Sequence, residues 1–197
     1  RLWSTKANFK NPVCEFLDLE SNIGLDVNIY SSGNPNTQDL LNEINSWKNS
    51  EPFSPIPYYY QANILLSQKR YEEFLKTAEH FMFLKQSQNK SLTLIRYYYA
   101  YVQLWIKKNA KPAIQNLLMC LSENPLMAEF WCLLGDVHYH LLEDYEKARE
   151  FYHNGLILGQ HRIKYDGWPI DISKYKSHPN RMIDSCNKII AKQVYVR

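Results

Sequence analysis

The chain has 197 residues, of which 45% are apolar and 14% aromatic, with only 6 glycines. That is enough hydrophobic material for one well-buried domain, or for a domain with an appendage. No apolar run approaches the length of a membrane span, and a net charge of +3 is too small to mark the whole chain as a nucleic-acid binder. Cys14, Cys120, Cys132 and Cys186 lie far apart with no paired spacing, which reads as reduced thiols and a cytoplasmic protein. No signal peptide is visible, and the chain opens on Arg1 where an initiator Met would stand, so a longer parent polypeptide is expected.

Residues 1–33 alternate apolar and polar positions in Val13-Cys-Glu-Phe-Leu-Asp-Leu and Leu25-Asp-Val-Asn-Ile-Tyr. This is the period of a half-buried strand. Ser31-Ser-Gly-Asn-Pro35-Asn then reads as a turn or linker. From Thr37 the period becomes helical, with Leu40, Leu41, Ile44 and Trp47 on one face, until Pro52, Pro55 and Pro57 interrupt it.

Residues 37–160 carry the strongest pattern. Trp131-Cys-Leu-Leu134-Gly135-Asp-Val-His138 is followed, after a turn at Leu141 to Asp144, by Tyr145-Glu-Lys-Ala148-Arg-Glu-Phe-Tyr152. This resembles one tetratricopeptide repeat, W-x2-L-G-x2-Y, A-x3-F, P on a period of 34 residues. His138 stands for the Tyr and Tyr152 for the Phe, and the turn is about one residue longer than usual. Two weaker copies precede it. Ala113 matches Ala148 at a spacing of 35, with Pro125 closing that repeat, and Phe74 matches Ala113 at a spacing of 39. The excess falls in a polar loop at Lys85 to Ser91. The resemblance implies an all-α, solenoid-type array of about three helical hairpins, with Trp131, Leu134, Gly135, Ala148, Tyr152, Ala113 and Pro125 as its signature core and small residues letting paired helices approach.

Residues 161–197 hold eight basic and three acidic side chains, a local charge of +5. They read as an irregular link and a last helix beginning near Pro179. There Ile183, Ile189 and Ile190 cover the exposed edge of repeat three. A basic tail could meet nucleic acid or an anionic membrane surface, but a solvated cap is preferred, since a nucleic-acid site would want clustered Arg and Lys interleaved with aromatics.

Arg1-Leu2-Trp3, Val13-Cys14-Glu15 and Val27-Asn28-Ile29-Tyr30 add a second resemblance. Together they are similar to the end of the catalytic domain in family-2 glycosyltransferases that carry tetratricopeptide repeats at their C-terminus. Cys14 stands where that family has His. Trp168-Pro169-Ile170-Asp171, Tyr175 and Pro179 to Met182 are likewise similar to the segment after the repeats. This resemblance implies an upstream nucleotide-sugar domain, with its metal motif, outside these residues.

No catalytic, cofactor-binding or metal-binding residue is assigned. His138 and His140 are two apart, pointing to different faces of a helix. Cys132 with His140 has no third orienting group, and Glu72, Glu73 and Glu146 read as helix-end electrostatics. Asn89-Lys-Ser91 fits a glycosylation acceptor but lies in a chain read as cytoplasmic. The repeat resemblance places a partner instead on the first helix of each hairpin: Tyr59 and Asn63; Tyr98, Val102 and Trp105; Cys132, Asp136, Tyr139 and His140. Such an aromatic groove suits a peptide or protein that buries apolar side chains, or a second copy of the chain. The Lys and Arg of a carboxylate-gripping groove are missing from these positions. Tyr98 and Trp105 have a second reading, as packing beneath the preceding repeat. Two functions follow: a non-catalytic interaction region of a glycosyltransferase-like protein, or a freestanding adaptor.

Overall fold

The computed structural model describes residues 37–85, 90–162 and 171–195. All its regular elements are helical: α1 Thr37–Ser50, α2 Ile56–Ser67, α3 Tyr71–Leu84, α4 Lys90–Trp105, α5 Ala110–Glu123, α6 Ala128–His140, α7 Tyr145–Gly159, a 3-10 turn Ile172–Tyr175, and α8 Ser177–Tyr195. The strand-like readings at residues 1–33, the resemblance at Arg1 to Tyr30, Asn89 and Trp168-Pro169-Ile170 lie outside the described residues. Two compact units are present, one ending at Ile95 and one beginning at Arg96, so α4 contributes to both.

In the first unit α1 packs on α2 and α2 pairs with α3. Leu40, Leu41, Ile44 and Trp47 are buried along one face of α1, as the period requires. Trp47 stacks on Tyr60 at 6.4 Å, while Lys48 Nζ donates to Gln61 Oε1 at 2.9 Å. Pro55 caps α2 and Pro57 lies in its first turn, where a missing N–H costs nothing.

In the second unit α6 pairs with α7, α5 packs on α6, and α8 packs on α7. Arg96 Nη1 reaches Asn116 Oδ1 at 3.5 Å, joining α4 to α5. Met182, Ile183 and Cys186 of α8 share one buried cluster with Cys132, Ala148 and Tyr152, and Ile190 packs on its edge. The cap is therefore real but its residues shift. Met182 and Cys186 do the work assigned to Ile189, which is only half-buried.

The hairpins repeat at the level of the backbone. Lys69, Lys108 and Glu143 all adopt positive φ, at 59°, 53° and 52°, and each stands two residues before a second helix. The fourth residue of that helix, Phe74, Ala113 or Ala148, is 0% exposed, and so is the eighth, Ala78, Leu117 or Tyr152. Phe74, Ala113 and Ala148, matched by spacing, thus occupy equivalent positions. The small residue acts differently from the expected close approach of backbones: Gly135 makes room for a ring. A Cβ there would lie 2.7 Å from Tyr152 Cε1.

The turns also fix the register of the first helices. Asp144 N–H donates to His138 O, and Asn109 N–H to Gln103 O, so Gln103 corresponds to His138. Arg96, Ala100, Tyr101 and Trp105 then correspond to Trp131, Gly135, Asp136 and His140. Matching Tyr97 to Trp131 is one residue out. In the first hairpin Arg70 N–H donates to Leu65 O, which makes Tyr58 the match to Trp131, as the sequence suggests.

Candidate functional site

The register decides which residues face outward from the first helix of each hairpin. Val102, expected to line a groove, is 0% exposed, because it lies inside the hairpin; Tyr101, one residue earlier, is 42% exposed. Tyr98 is half-buried beside Tyr97, with ring centroids 5.5 Å apart, and its phenol is pushed up by burial. Tyr59 is buried against Phe81, and Asn63 bonds back within its own helix by donating to Tyr59 O at 2.8 Å. Tyr59 and Asn63 belong to the first unit; all other expected groove residues belong to the second.

Within the second unit one aromatic group does converge. The Trp105 and His140 rings are 5.0 Å apart, those of Tyr139 and Tyr145 are 5.3 Å apart, and Tyr139 meets His140 edge-on at 4.8 Å. Tyr101 flanks Trp105 at 6.5 Å, while Lys108 Nζ lies 5.4 Å from the Trp105 ring centroid. His140 is exposed, with its imidazole held below the ordinary value by partial burial.

Cys132 and Asp136 lie on the same helical stripe as His140, but they are covered. So is Glu129, which sequence reasoning missed. The three are spaced as i, i+3 and i+7, one face of α6, and the cover is the protein's own 3-10 turn with the start of α8. Glu129 Oε1 accepts from Asp171 N–H at 3.0 Å and Glu129 Oε2 from Tyr175 OH at 2.6 Å. Arg162 Nη1 adds an ion pair to Glu129 at 3.3 Å, and also contacts Tyr175 OH. The Cys132 thiol donates to Lys174 O at 3.4 Å. Asp136 Oδ1 accepts from Tyr152 OH at 2.7 Å and meets His178 Nε2 at 3.1 Å, with Lys174 Nζ 3.8 Å from Oδ2.

These contacts explain the electrostatics. Burial alone would raise the Asp136 carboxyl, but the hydrogen bond from His178, the Lys174 charge and the Tyr152 hydroxyl outweigh it and hold the group below the ordinary value. Burial, followed by the bond to Glu129, pushes the Tyr175 phenol up; burial likewise raises the Cys132 thiol. Cys132 is therefore a poor nucleophile where it stands. His140 takes its ring contacts from Trp105 and Tyr139.

The signature residues hold the stripe in place. Trp131 Nε1–H donates to Pro125 O at 2.7 Å and the indole stacks on Phe151 at 6.2 Å, which ties the α5–α6 turn to the α6–α7 hairpin. Leu134, Ala148 and Tyr152 are buried. The His138 ring packs on Phe151 at 4.9 Å, in the seam expected for it. Among the described residues no three His, Cys, Asp or Glu side chains converge as a metal set, and no helix is long and apolar enough to cross a membrane.

No protein-family model matches the sequence, and no curated protein matches it. Solved structures do. MamA 41-end from Desulfovibrio magneticus RS-1 is 17% identical, over 92% of this chain and 93% of that one, with a TM-score of 0.62. The MamA RS-1 ArsTM double mutant is 18% identical over 92% of each chain, also at 0.62. A further MamA crystal structure is 13% identical over 93% of this chain and 88% of that one, at 0.61. At such identities the likeness speaks to architecture: the described residues form an all-helical, tetratricopeptide-repeat-like fold similar to that of MamA.

Proposed function

We propose that this chain is a non-catalytic protein-interaction scaffold whose first-helix faces bind peptide or protein partners. The observation that carries this reading is that α6 already holds a segment of its own chain. Glu129, Cys132 and Asp136 engage residues 171–178 through both main-chain and side-chain groups, the chemistry a peptide-binding face needs. The continuation of that face, where Tyr101, Trp105, Tyr139 and His140 cluster beside Lys108, is the aromatic surface we assign to a partner or a second copy. Such rings supply large contact area for little lost side-chain freedom.

Photo-crosslinking from position 101 identifies a partner, and calorimetry then measures its affinity. Trp105→Ala and Tyr139→Ala should each weaken it by about 1 to 2 kcal/mol or more. Reversing the charge of Lys188 and Lys192, exposed on α8, should change it little. The opposite order would move the site to the basic C-terminal helix.

The finer reading makes the scaffold the C-terminal part of a glycosyltransferase-like protein and its partner the acceptor; what supports it is the sequence of Arg1 to Tyr30. An open reading frame lacking a nucleotide-sugar-binding α/β domain before Arg1 would leave the freestanding adaptor. The isolated 197 residues should turn over no nucleotide sugar. We place the protein in the cytoplasm, a reading supported by Cys120, Cys132 and Cys186 being buried thiols and not disulfides.

A further inference from the structure

We propose that the start of α6 and the end of α7 form a recognition pocket for a tyrosine in a lysine-bearing peptide, and that the protein's own Tyr175 is its resident, displaceable occupant. This rests on the interaction-scaffold reading and names the chemistry of one of its ligands. The pocket has a floor, a lid and an anchor. Gly159 is the floor: a Cβ there would lie 3.0 Å from Tyr175 Cδ1 and 2.9 Å from Ala128 Cβ, so only a glycine leaves the slot a ring fills. The Arg162 guanidinium covers the ring at 5.6 Å from its centroid. Glu129 anchors the phenol at 2.6 Å.

Around the ring, the same face sets the rest of the ligand. Glu129 takes a main-chain N–H, Cys132 gives its thiol proton to a carbonyl, and Asp136 faces one lysine and one histidine. Glu129 keeps its own Arg162 and His178 stays with α8, so the place left open by the departing segment is that of Lys174 on Asp136, which selects a lysine in the ligand.

The occupant is held differently from the helix that follows it. None of the 3-10 residues is buried, and Ile172 is 80% exposed. The α8 helix is fixed by Met182, Ile183 and Cys186 in the core. Residues 171–176 can therefore leave while α8 stays, after which the tether returns them at high local concentration. A partner must outcompete that tether, which makes the segment a threshold on binding.

The probe is a fluorescein-labelled peptide of this chain's own sequence, Asp171 to Lys176, and the readout is anisotropy with the full chain. Tyr175→Ala should bind it at least tenfold more tightly than the unaltered protein. Adding Glu129→Gln should remove at least tenfold. Trp105→Ala should leave this binding unchanged, which separates the pocket from the aromatic partner surface: failure there alone sinks the scaffold assignment and not the pocket. Alkylation of Cys132 relative to Cys120, read by mass spectrometry, should rise in Tyr175→Ala as the cover lifts. Should Tyr175→Ala not fold, Tyr175→Phe keeps the ring and should still raise probe affinity and Cys132 alkylation at least twofold. A folded variant that shows neither overturns the proposal.

Discussion

Gly135→Ala tests the packing of the α6–α7 hairpin with one methyl group. The new Cβ would lie 2.7 Å from Cε1 and 2.9 Å from Cδ1 and Cζ of Tyr152, where ordinary contact begins at 3.4 Å. The ring cannot retreat easily. It is 0% exposed, its hydroxyl is bound to Asp136 at 2.7 Å, and its edge meets His178 at 5.8 Å. Overpacking a fixed ring belongs at the upper end of the usual cost, about 3 kcal/mol. Replacing a mid-helix glycine by alanine returns about 1 kcal/mol, leaving a net loss of about 2 kcal/mol. Gly155→Ala is the control: its Cβ meets Trp131 Cβ at 3.3 Å and Cys132 Sγ at 3.5 Å, so gain and strain nearly cancel. Urea unfolding followed by circular dichroism at 222 nm should separate the two variants by that difference, equivalent to roughly 4 to 8 °C in melting temperature. On a Tyr152→Ala background the sign should reverse, with Gly135→Ala stabilising by about 1 kcal/mol. Equal midpoints for Gly135→Ala and Gly155→Ala would refute the reasoning.

Three further outcomes follow from the same geometry. Tyr152→Phe removes the hydroxyl from a buried carboxylate and should cost about 1.5 to 3 kcal/mol, read from the urea midpoint. Trp131→Phe keeps a ring against Phe151 but loses the bond to Pro125 O; a loss of about 0.5 to 1.5 kcal/mol is expected. Stability should fall with acid in two windows. His138 is held below its ordinary value by burial, so between about 6.5 and that lowered value the unfolded chain binds a proton the folded chain refuses, and stability drops as pH falls. Asp136, also lowered, contributes stability that is present above about 3.9 and lost as pH falls through its folded value. His138→Gln should make the upper fall shallower, with the remainder carried by His140, which burial also lowers, and Asp136→Asn should make the lower fall shallower.

The third hairpin was legible because its signature residues are chemically distinct and locally spaced: Trp131, Gly135, Ala148 and Tyr152 leave one alignment. The second was legible only to within one residue, since Tyr97, Tyr98 and Tyr99 are three aromatic candidates for one position, and the turn that settles the matter is set by backbone conformation at Lys108. That single step separates exposed Tyr101 from buried Val102. The cover on α6 left no local trace, because Lys174 and His178 lie 42 residues from Cys132 and Asp136. A hint was available in the hairpin itself: a Tyr where the pattern has Phe, opposite an Asp on a core-facing helix, is a polar pair in need of further partners.

The bonds that join α8 and its lead-in to α6 also set an order of assembly. Tyr152 reaches Asp136 across 16 residues, whereas Tyr175 reaches Glu129 across 46. Short closures form first, since each longer one must immobilise more chain before any contact rewards it. During synthesis the hairpin should thus be complete, with its two carboxylates open to solvent, for as long as the ribosome takes to deliver the tyrosine that covers them. A ligand that meets the growing chain in that interval faces no competitor, so partners acquired at birth need less affinity than those acquired later.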